Sequence, residues 1–431
     1  MTGPVLRSLS PVRAHKGDVL YVALCLLAIA AGAGIVRWGF ARAFPEASVD
    51  FRVTAEEAKA IAAHALEARG FALDGFRRLV LFDHDDDAKT YLERTLGLAR
   101  ANGEYGALPI WRWTVRFVRP LERLEYVVHV DPAGRVTGFR RLLPEKAAAA
   151  DPGDDAARRI AEEAFGLAFG EDPADRSRFR FVEATSERRP ARVDRTFVFE
   201  SERFRHGDGA LRYVVEVQGD RAGRCTAFYR VPETWKDAYR RLRSKNEAAS
   251  AVATLGLFLT GLAVVAVFLE RIRRHDVRWR TALAFGGVGF VLQLAASLNE
   301  LPVALFDYDT AQSWGNTVIR AVLGGFGGAA VLAVILVLLV AAGEPLTRET
   351  FPKAPALGRI FSLRALGTRS VFRGLLLGYA LTALFFAYQV LFYVGADRLG
   401  AWAPAEVPYS NLLGTRFPWL AVLLAGFVPA T

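Results

Sequence analysis

The sequence predicts a multi-pass α-helical membrane protein with an inserted soluble α+β domain made of two helix-plus-antiparallel-hairpin repeats. Several segments approach the roughly 20 consecutive apolar residues that a membrane-crossing helix needs, and the polar region 50–247 contains segments that match each other. Apolar residues make up 52% of the 431 residues and charged residues 23%, and the acidic residues concentrate in that polar region. The chain therefore divides into an external domain and a membrane part.

The net charge of +10 and the cysteine content exclude several classes of protein. Much of the basic excess lies beside apolar segments, as it does at the cytoplasmic ends of membrane helices, so we expect no nucleic-acid partner. Of the two cysteines, Cys25 lies in the first apolar segment and Cys225 in the polar region. They cannot form a disulfide framework or a four-cysteine metal site, and we expect both to be small buried side chains.

The first apolar segment predicts an uncleaved transmembrane helix over residues 19–42, preceded by a cytoplasmic N-terminus at residues 1–18. Basic residues precede the segment and no Ala-x-Ala-like cleavage site follows it, which disfavours a signal peptide. Arg37, Trp38 and Arg42 are typical of an interfacial anchor at the far end of such a helix.

The first repeat of the external domain spans about residues 50–145. Thr54 and Glu57 predict a capping box at the start of an amphipathic helix, and Asp85–Asp87 predicts the cap of a second helix. Apolar and polar residues then alternate, which indicates a half-buried strand followed by a hairpin. The predicted elements are a helix over Ala88–Ala101, ended by Asn102 and Gly103, and strands over Trp111–Phe117, Tyr126–Val130 and Val136–Arg140.

The second repeat spans about residues 151–233 and returns to the same pattern. Asp154–Phe169 predicts an amphipathic helix, and Thr196–Glu200 predicts a strand. An internal duplication explains why segments of the two regions match each other. The matching pairs are Leu124–Val130 with Leu211–Val217, Gly134–Phe139 with Gly223–Phe228, and Pro144–Glu145 with Pro232–Glu233.

Residues 248–431 predict a bundle of membrane helices. The loop Arg271–Arg280 and the loop from Glu344 to Arg373 are basic, whereas the loop between them carries Asp307 and Asp309. By the positive-inside rule, the two basic loops are cytoplasmic. The predicted spans lie at about residues 248–269, 282–302, 317–342, 371–395 and 417–431, and we expect the last to continue beyond Thr431 as part of a longer protein.

This sidedness predicts an integral membrane protein with the N-terminus in the cytoplasm and residues 50–247 extracytoplasmic. One segment opposes it, because the basic stem at residues 236–245 then lies on the outer side. Long translocated domains have little weight in the positive-inside rule, so we keep this orientation.

Two groups of acidic residues are candidates for chemistry. His84 with Asp85–Asp87 offers metal-ligand side chains, but one imidazole and three adjacent aspartates favour a helix-capping turn over a metal site. Glu300 lies beside Asn299 at the end of an apolar segment, where an acid is a functional candidate. The following Pro302 favours an interfacial helix end instead.

Small and aromatic residues in the apolar patterns predict packing. Gly324–Gly328 and Gly374–Gly378 both satisfy Gly-x-x-x-Gly, a spacing that lets membrane helices approach closely. Trp111 and Trp113 alternate with polar residues along the predicted strand, so we expect them to pack in a core.

The sequence predicts no catalytic, metal-binding or cofactor-binding residue in this chain. None of the six histidines lies in an apolar segment, whereas a membrane metalloprotease or a Ser-His protease needs an imidazole at its site. His-Glu-x-x-His, Gly-x-Ser-x-Gly, phosphate-binding loops and dinucleotide fingerprints are also missing from the sequence.

The C-terminal stretch Asn411–Leu420, which continues into Phe427–Ala430, resembles the approach to the first catalytic motif of the CPBP family. These proteins are the CAAX-protease and bacteriocin-processing intramembrane metalloproteases. In that family such a helix leads into Glu-Glu-x-x-x-Arg, and later helices add Phe-x-x-x-His and a further histidine. The resemblance implies that residues beyond Thr431 hold a divalent metal, expected to be zinc, which activates water for peptide-bond cleavage at the membrane. The external repeats resemble the PepSY-like modules found outside bacterial membranes, and the two resemblances imply a protein of a bacterial inner (cytoplasmic) membrane.

Two functional hypotheses follow from the sequence. In the first, the chain is the non-catalytic N-terminal part of a membrane-embedded metal-dependent endopeptidase, and its external domain regulates the enzyme or recruits a peptide or protein substrate. In the second, the chain is a non-enzymatic membrane sensor or regulator whose external domain binds a peptide or partner. A transporter fits least, because the spans contain few ionisable groups. The lipid bilayer is a partner in each case.

Overall fold

The computed structural model describes residues 16–167, 178–351, 368–399 and 410–426. The chain divides into two compact units, which we call the helical unit and the sheet unit. The helical unit comprises Met1–Ala47, Ala248–Val291 and Ala330–Ala405, and the sheet unit comprises Ser48–Glu247, Leu292–Ala329 and Glu406–Thr431.

The secondary structure of the described residues is mixed. The α-helices are α1 (Lys16–Ala43), α2 (Ala55–Glu67), α3 (Asp86–Leu96), α4 (Leu98–Glu104), α5 (Asp154–Leu167), α6 (Glu233–Arg273), α7 (Trp279–Asn299), α8 (Leu301–Ala304), α9 (Trp314–Thr350), α10 (Arg369–Arg398) and α11 (Pro418–Ala425). The strands are β1 (Arg77–His84), β2 (Trp111–Val118), β3 (Glu125–Val130), β4 (Val136–Leu142), β5 (Phe179–Arg189), β6 (Arg192–His206), β7 (Gly209–Gln218) and β8 (Arg221–Arg230). Short 3₁₀ helices lie at Pro45–Ser48, Tyr105–Ala107 and Ser410–Gly414.

The sheet unit contains one eight-stranded antiparallel sheet with the strand order β1-β2-β3-β4-β8-β7-β6-β5. Two four-stranded meanders meet where β4 pairs with β8, a junction that we call the seam. Helix α2 packs on the first meander and α5 on the second. The main core lies on this helical face of the sheet, and Val115, Phe117, Val128 and Val215 in it have no exposed surface.

The predicted strands at 111–117, 126–130, 136–140 and 196–200 are present, but two strands were not predicted. Strand β1 is covered on both faces, with Val80 in the main core and Leu79 in a second cluster, so its sequence lacks polar alternation. Strand β5 is a mostly exposed edge strand, and a charged edge carries little hydrophobic pattern.

The predicted helix over Ala88–Ala101 is wrong in its extent. The structure has two helices there, α3 and α4, separated by Gly97, whose φ of +77° suits glycine and breaks the helix. Asn102 and Gly103 lie inside α4, which continues to Glu104. The capping box at Thr54 and Glu57 is confirmed at the start of α2.

The first two of the three sequence matches behave differently in the sheet. Leu124–Val130 and Leu211–Val217 fall on β3 and β7, where Tyr126 pairs with Phe117 and Tyr213 pairs with Phe199. The second match is out of register: Val128 pairs with Phe139, but Val215 pairs with Cys225 and not with Phe228. The reason is that the β7–β8 turn at Gly219 and Asp220 is tighter than the β3–β4 turn.

Five helices in the described part of the chain are long and apolar enough to cross a membrane, as expected of a membrane protein. They agree with the predicted spans at 19–42, 248–269, 282–302, 317–342 and 371–395, although 282–302 is interrupted after Asn299, where α8 begins separately. Of the predicted span 417–431, the structure describes α11, and residues beyond 426 lie outside the described ranges. The apolar segments lie at Asp18–Ala43, Ser250–Arg273, Trp279–Asn299, Trp314–Thr350 and Arg369–Arg398.

Helices α1 and α10 of the helical unit are parallel and pack through small residues. A Cβ added to Gly32 would lie 2.7 Å from the carbonyl oxygen of Ala383, and a Cβ on Gly39 would lie 2.3 Å from Val390. Near the start of both helices, the Asp18 carboxylate forms ion pairs with Arg369 and Arg373, each at 2.6 Å. Close approach at small residues is typical of packed membrane helices.

The glycines predicted to carry this packing are not the ones that do so. Gly324, Gly328, Gly374 and Gly378 have no heavy atom within 4 Å of an added Cβ among the described residues. Gly325, inside the first of these two Gly-x-x-x-Gly stretches, does meet a neighbouring helix, because a Cβ added to it would lie 2.8 Å from the side chain of Ser297 on α7. A Gly-x-x-x-Gly spacing permits close approach but does not select which helix face has a partner. In the helical unit, the glycines that meet a neighbouring helix are Gly32, Gly39, Gly286 and Gly289.

Candidate functional site

The candidate site lies on the second face of the sheet, opposite the helices α2 and α5. At the β1–β2 end, this face is covered by the segment between α7 and α9. Leu79, Val118 and Tyr308 form a buried cluster, with Phe306 and Trp314 packed against it. Val118 has no exposed surface and Tyr308 is 2% exposed. We call this contact the docking junction, and all of it lies within the sheet unit.

Arg116 is the polar centre of the docking junction. Its guanidinium makes a bidentate ion pair with Glu125 on β3, with distances of 2.6 and 2.9 Å to the two carboxylate oxygens. It also donates to the carbonyl oxygens of Phe306 and Tyr308. The side chains of Arg116 and Glu125 are 17% and 10% exposed. The hydrogen bonds of this largely enclosed arginine therefore join β2 and β3 to the segment after α8.

Further contacts fix the register of the junction. The backbone N–H of Leu121, after β2, donates to the carbonyl oxygen of Thr310 at 2.9 Å. The guanidinium of Arg77 lies 4.6 Å from the ring centroid of Trp314, within the range of a cation–π contact.

Asn299 connects the end of α7 to the start of α11. Its side-chain amide donates to the carbonyl oxygen of Phe417 at 3.1 Å, and its side-chain oxygen accepts from the N–H of Phe417 at 2.8 Å. The N–H of Arg416 donates to the backbone carbonyl of Asn299 at 2.9 Å. Phe417 is the N-cap of α11, so an asparagine that is 4% exposed holds the first turn of that helix in place.

The 3₁₀ helix that precedes α11 is held by the sheet. A Cβ added to Gly414 would lie 3.0 Å from Leu81 on β1 and 3.2 Å from Val303 on α8. Leu413 packs against the main core. The start of α11 is therefore connected both to the end of a membrane-type helix and to an edge strand of the sheet.

The helical face of the sheet carries two clefts. The first has a volume of about 530 Å³ and the second about 460 Å³, and they share Leu108, Asp131 and Arg135 as lining residues. Both volumes fall within the range of about 300–1,000 Å³ that is usual for ligand sites.

His84 and the aspartates after it form the predicted capping turn. Asp85 is the N-cap of α3 and accepts from the N–H of Ala88 at 3.0 Å. His84 lies 2.8 Å from Asp86, and this hydrogen bond lowers the pKa of the Asp86 carboxyl. Desolvation raises the pKa of Asp85. Asp85 and Asp86 thus have local partners, as the capping interpretation requires, whereas Asp87 pairs with Lys236 on α6 at 3.5 Å.

Glu300 and the cysteines lie at places that the sequence indicated. Glu300 follows α7 directly, at a helix end, and its partial burial raises the pKa of its carboxyl. Cys25 and Cys225 are both unpaired and buried, as predicted. Burial raises the pKa of the Cys225 thiol to about 12, so this thiol is not a nucleophile at neutral pH.

His129 is a titratable group on the same sheet face as Arg116. Its Nδ1 lies 3.2 Å from the hydroxyl of Thr114. Burial, together with the charges of Arg112 and Arg224, lowers the pKa of His129 to about 3. The imidazole is therefore neutral at physiological pH and cannot serve as a general acid there.

The donor set of the described residues does not fit a catalytic metal. Within the ranges that the structure describes, no three His, Cys, Asp or Glu side chains come close enough together to hold an ion. Trp111 and Trp113 lie in the core, 4% and 3% exposed, although Trp111 also lines the second cleft. We therefore derive no metal-dependent step from these residues.

The sequence did not single out Arg116 or Asn299 as members of one site. Arg116 lies on the side of its strand that the alternation predicts to be polar. Val118 on that same side is large and apolar, which is a weak sign in the sequence that this side is covered as well. Asn299 was noted only as part of a helix end. Comparisons with family models, with curated proteins and with solved structures found no match to this chain.

Proposed function

We propose that this chain is the non-catalytic part of a membrane-embedded, metal-dependent endopeptidase of the CPBP type, in which the external domain recruits or regulates the substrate. The observation that carries the proposal is the position of α11, the helix that resembles the approach to the catalytic motif of that family. Its first turn is bonded to Asn299 and its preceding 3₁₀ helix packs on β1. A ligand that shifts the sheet would therefore act on the start of this helix.

The membrane orientation that this proposal requires is supported within each unit. In the helical unit, α1 and α10 are parallel, as an alternating series of five spans requires for its first and fifth helices. In the sheet unit, the docking junction requires the sheet and the α7–α9 segment to share one side. Because the loop Arg271–Arg280 and the start of α10 are basic, the positive-inside rule assigns their side to the cytoplasm. The sheet is then extracytoplasmic.

The internal duplication is also part of the proposal. Each meander follows a helix that packs on it, α2 for the first and α5 for the second. The equivalent positions of Tyr126 and Tyr213 support two PepSY-like repeats. A duplicated domain with one half docked leaves the other half available for a ligand.

The test uses the complete product of the gene, purified in detergent and also assayed in native membranes. We expect bound zinc by elemental analysis and cleavage of a membrane-inserted reporter peptide that a chelator abolishes and added zinc restores. We expect Asn299→Ala to slow cleavage several-fold at unchanged zinc content, because it loosens α11 without removing a metal ligand. Asn316→Ala, an exposed asparagine on α9, is the matched control and leaves the rate unchanged.

A protein without bound metal, or cleavage that a chelator does not affect, contradicts the peptidase proposal. The second candidate is a non-enzymatic sensor, and the contacts of the docking junction between the sheet and the α7–α9 segment support it. For a sensor, Asn299→Ala changes the response to a partner while no proteolysis occurs with either variant.

A further inference from the structure

The two clefts on the helical face adjoin each other at shared lining residues, and we call them together the groove. The first cleft extends from these shared residues toward Arg178, Phe179, Arg203 and Phe204. The second extends the other way, toward residues 48–52 and Trp111. The shared wall is Leu108, Asp131 and Arg135. A ligand that occupies both clefts must therefore be elongated.

The groove has an apolar floor and a cationic rim. Leu211, Tyr213 and Ala227 form the floor of the first cleft, and all three belong to the main core. The rim carries arginine at both ends and in the middle. These residues are Arg52, Arg135, Arg178 and Arg203.

The acidic residues of the groove are already neutralised by arginine. Asp50 pairs with Arg52 at 2.8 Å, and Asp131 pairs with Arg135 at 2.6 Å. Arg203, which is exposed, adds positive charge at the far end of the first cleft, and Asp131 is the acid among the described residues that line this cleft. The groove therefore favours an anionic ligand.

One wall of the first cleft is built by a break in the sheet. The β6–β7 ladder loses register between Glu200 and Arg205, and Ser201, Arg203 and Phe204 from this interval line the cleft. Bulges are over-represented beside functional sites because they redirect side chains out of the regular pleat. Here the bulge places a cation and an aromatic ring at the rim.

We propose that this groove binds an extended acidic peptide. A peptide in extended conformation directs alternate side chains to opposite sides, so apolar side chains can contact the floor while carboxylates meet the rim. Arginine is well suited to the rim because its planar guanidinium binds carboxylate in a bidentate manner. This inference rests on the proposed function in that it names the substrate or partner class which the external domain would recruit.

The test measures peptide binding to the full chain in detergent micelles by fluorescence anisotropy. The probe is a fluorescein-labelled octapeptide of alternating glutamate and leucine, and its twin carries lysine in place of glutamate. We expect the glutamate peptide to bind with an affinity that falls as salt rises, and the lysine twin not to bind. Charge reversal by Arg203→Glu should weaken binding about fivefold or more, as expected for exposed ion pairs that become repulsive.

Arg178→Glu provides a second rim variant with the same expected effect, and Arg188→Glu is the matched control. Arg188 is an exposed arginine on β5 that lines neither cleft, so its reversal should leave the affinity unchanged. All three arginines are exposed, and tryptophan fluorescence verifies that the variants fold.

Any of three results overturns the inference. The two peptides bind equally, the Arg188→Glu control loses as much affinity as the rim variants, or laurate at equal concentration displaces the peptide. The last outcome identifies the groove as a fatty-acid site. Because the readout is binding, it is independent of zinc content and cleavage. The peptide-binding inference can therefore be overturned while the peptidase proposal stands. Equally, the peptidase proposal can be overturned while peptide binding is observed.

Discussion

The two halves of the sheet each carry an ion pair between the second and third strands of the meander, with the charges exchanged between those strands. In the first half, Glu125 on β3 pairs with Arg116 on β2. In the second half, the β7 position that corresponds to Glu125 is Arg212, which pairs with Glu200 on β6. The first half thus has its cation on β2, the second strand of its meander, and the second half has its anion on β6, the second strand of the other meander.

The cation of the first half takes part in docking. Arg116 retains N–H donors after binding Glu125, and it gives them to the carbonyls of Phe306 and Tyr308. The Glu200 carboxylate has acceptors only, and it forms ion pairs with Arg180 and Arg230 in addition to Arg212. A guanidinium has five donors whereas a carboxylate has none, so Arg116 can bind both Glu125 and the backbone carbonyls of the segment that docks on it.

The largest effect is expected from Arg116→Met. It leaves the Glu125 carboxylate and two carbonyls without their donor, and removal of one partner of a buried pair costs about 3–5 kcal/mol. We expect faster hydrogen exchange over residues 306–310 and a lower free energy of unfolding by urea. Arg180→Met in the second half, whose side chain is 54% exposed, is the control and should cost about 1 kcal/mol or less. Equal losses in the two variants would show that the halves do not differ.

A smaller effect is expected from Glu200→Gln. The amide keeps the shape of the carboxylate but loses the charge that binds three arginines, which costs about 2–3 kcal/mol by the usual range for charged hydrogen bonds. Exchange over residues 306–310 should remain as in the parent protein. If that segment also loses protection, the docking junction depends on the second half and the comparison fails.

We also expect Glu200→Gln to change the pH dependence of the free energy of unfolding. Burial alone would raise the pKa of Glu200, but hydrogen bonds and charges from Arg180 and Arg212 outweigh it and hold the pKa below the ordinary value of 4.5. A lowered pKa in the folded state stabilises the protein above the unfolded value, and this stability is lost as the pH falls through the folded value. Urea unfolding between about pH 5 and about pH 3 should therefore depend less steeply on pH in Glu200→Gln than in the parent.

The smallest effect is expected at the seam between the halves. A Cβ on Gly138 would lie 2.9 Å from the Cα atom of Thr226 on β8, so Gly138→Ala forces the two strands apart and should cost about 1 kcal/mol or somewhat more. Gly106→Ala, where an added Cβ meets open space among the described residues, is the control. We expect unfolding followed by tryptophan fluorescence to become less cooperative only in the Gly138 variant.

Much of the fold was readable from local pattern. The capping box at Thr54 and Glu57, the alternation over Trp111–Phe117 and the apolar spans each depend on residues close in sequence, so single segments determine them. Strand β1 was not readable in this way, because Leu79 and Val80 are buried on opposite faces by different parts of the chain. The β7–β8 register also depends on a turn whose shortening shifts the strand relative to the first half.

The sequence alone determined that the chain has a polar α+β region among membrane helices, because hydrophobic period and length act locally. Only the tertiary structure decided that Arg116, Asn299 and Phe417 belong to one site. These residues come from a strand, the end of one helix and the start of another, far apart in the chain. Their hydrogen-bond donors and acceptors are polar groups that any surface residue could carry, and burial against a distant segment is what turns them into fixed contacts.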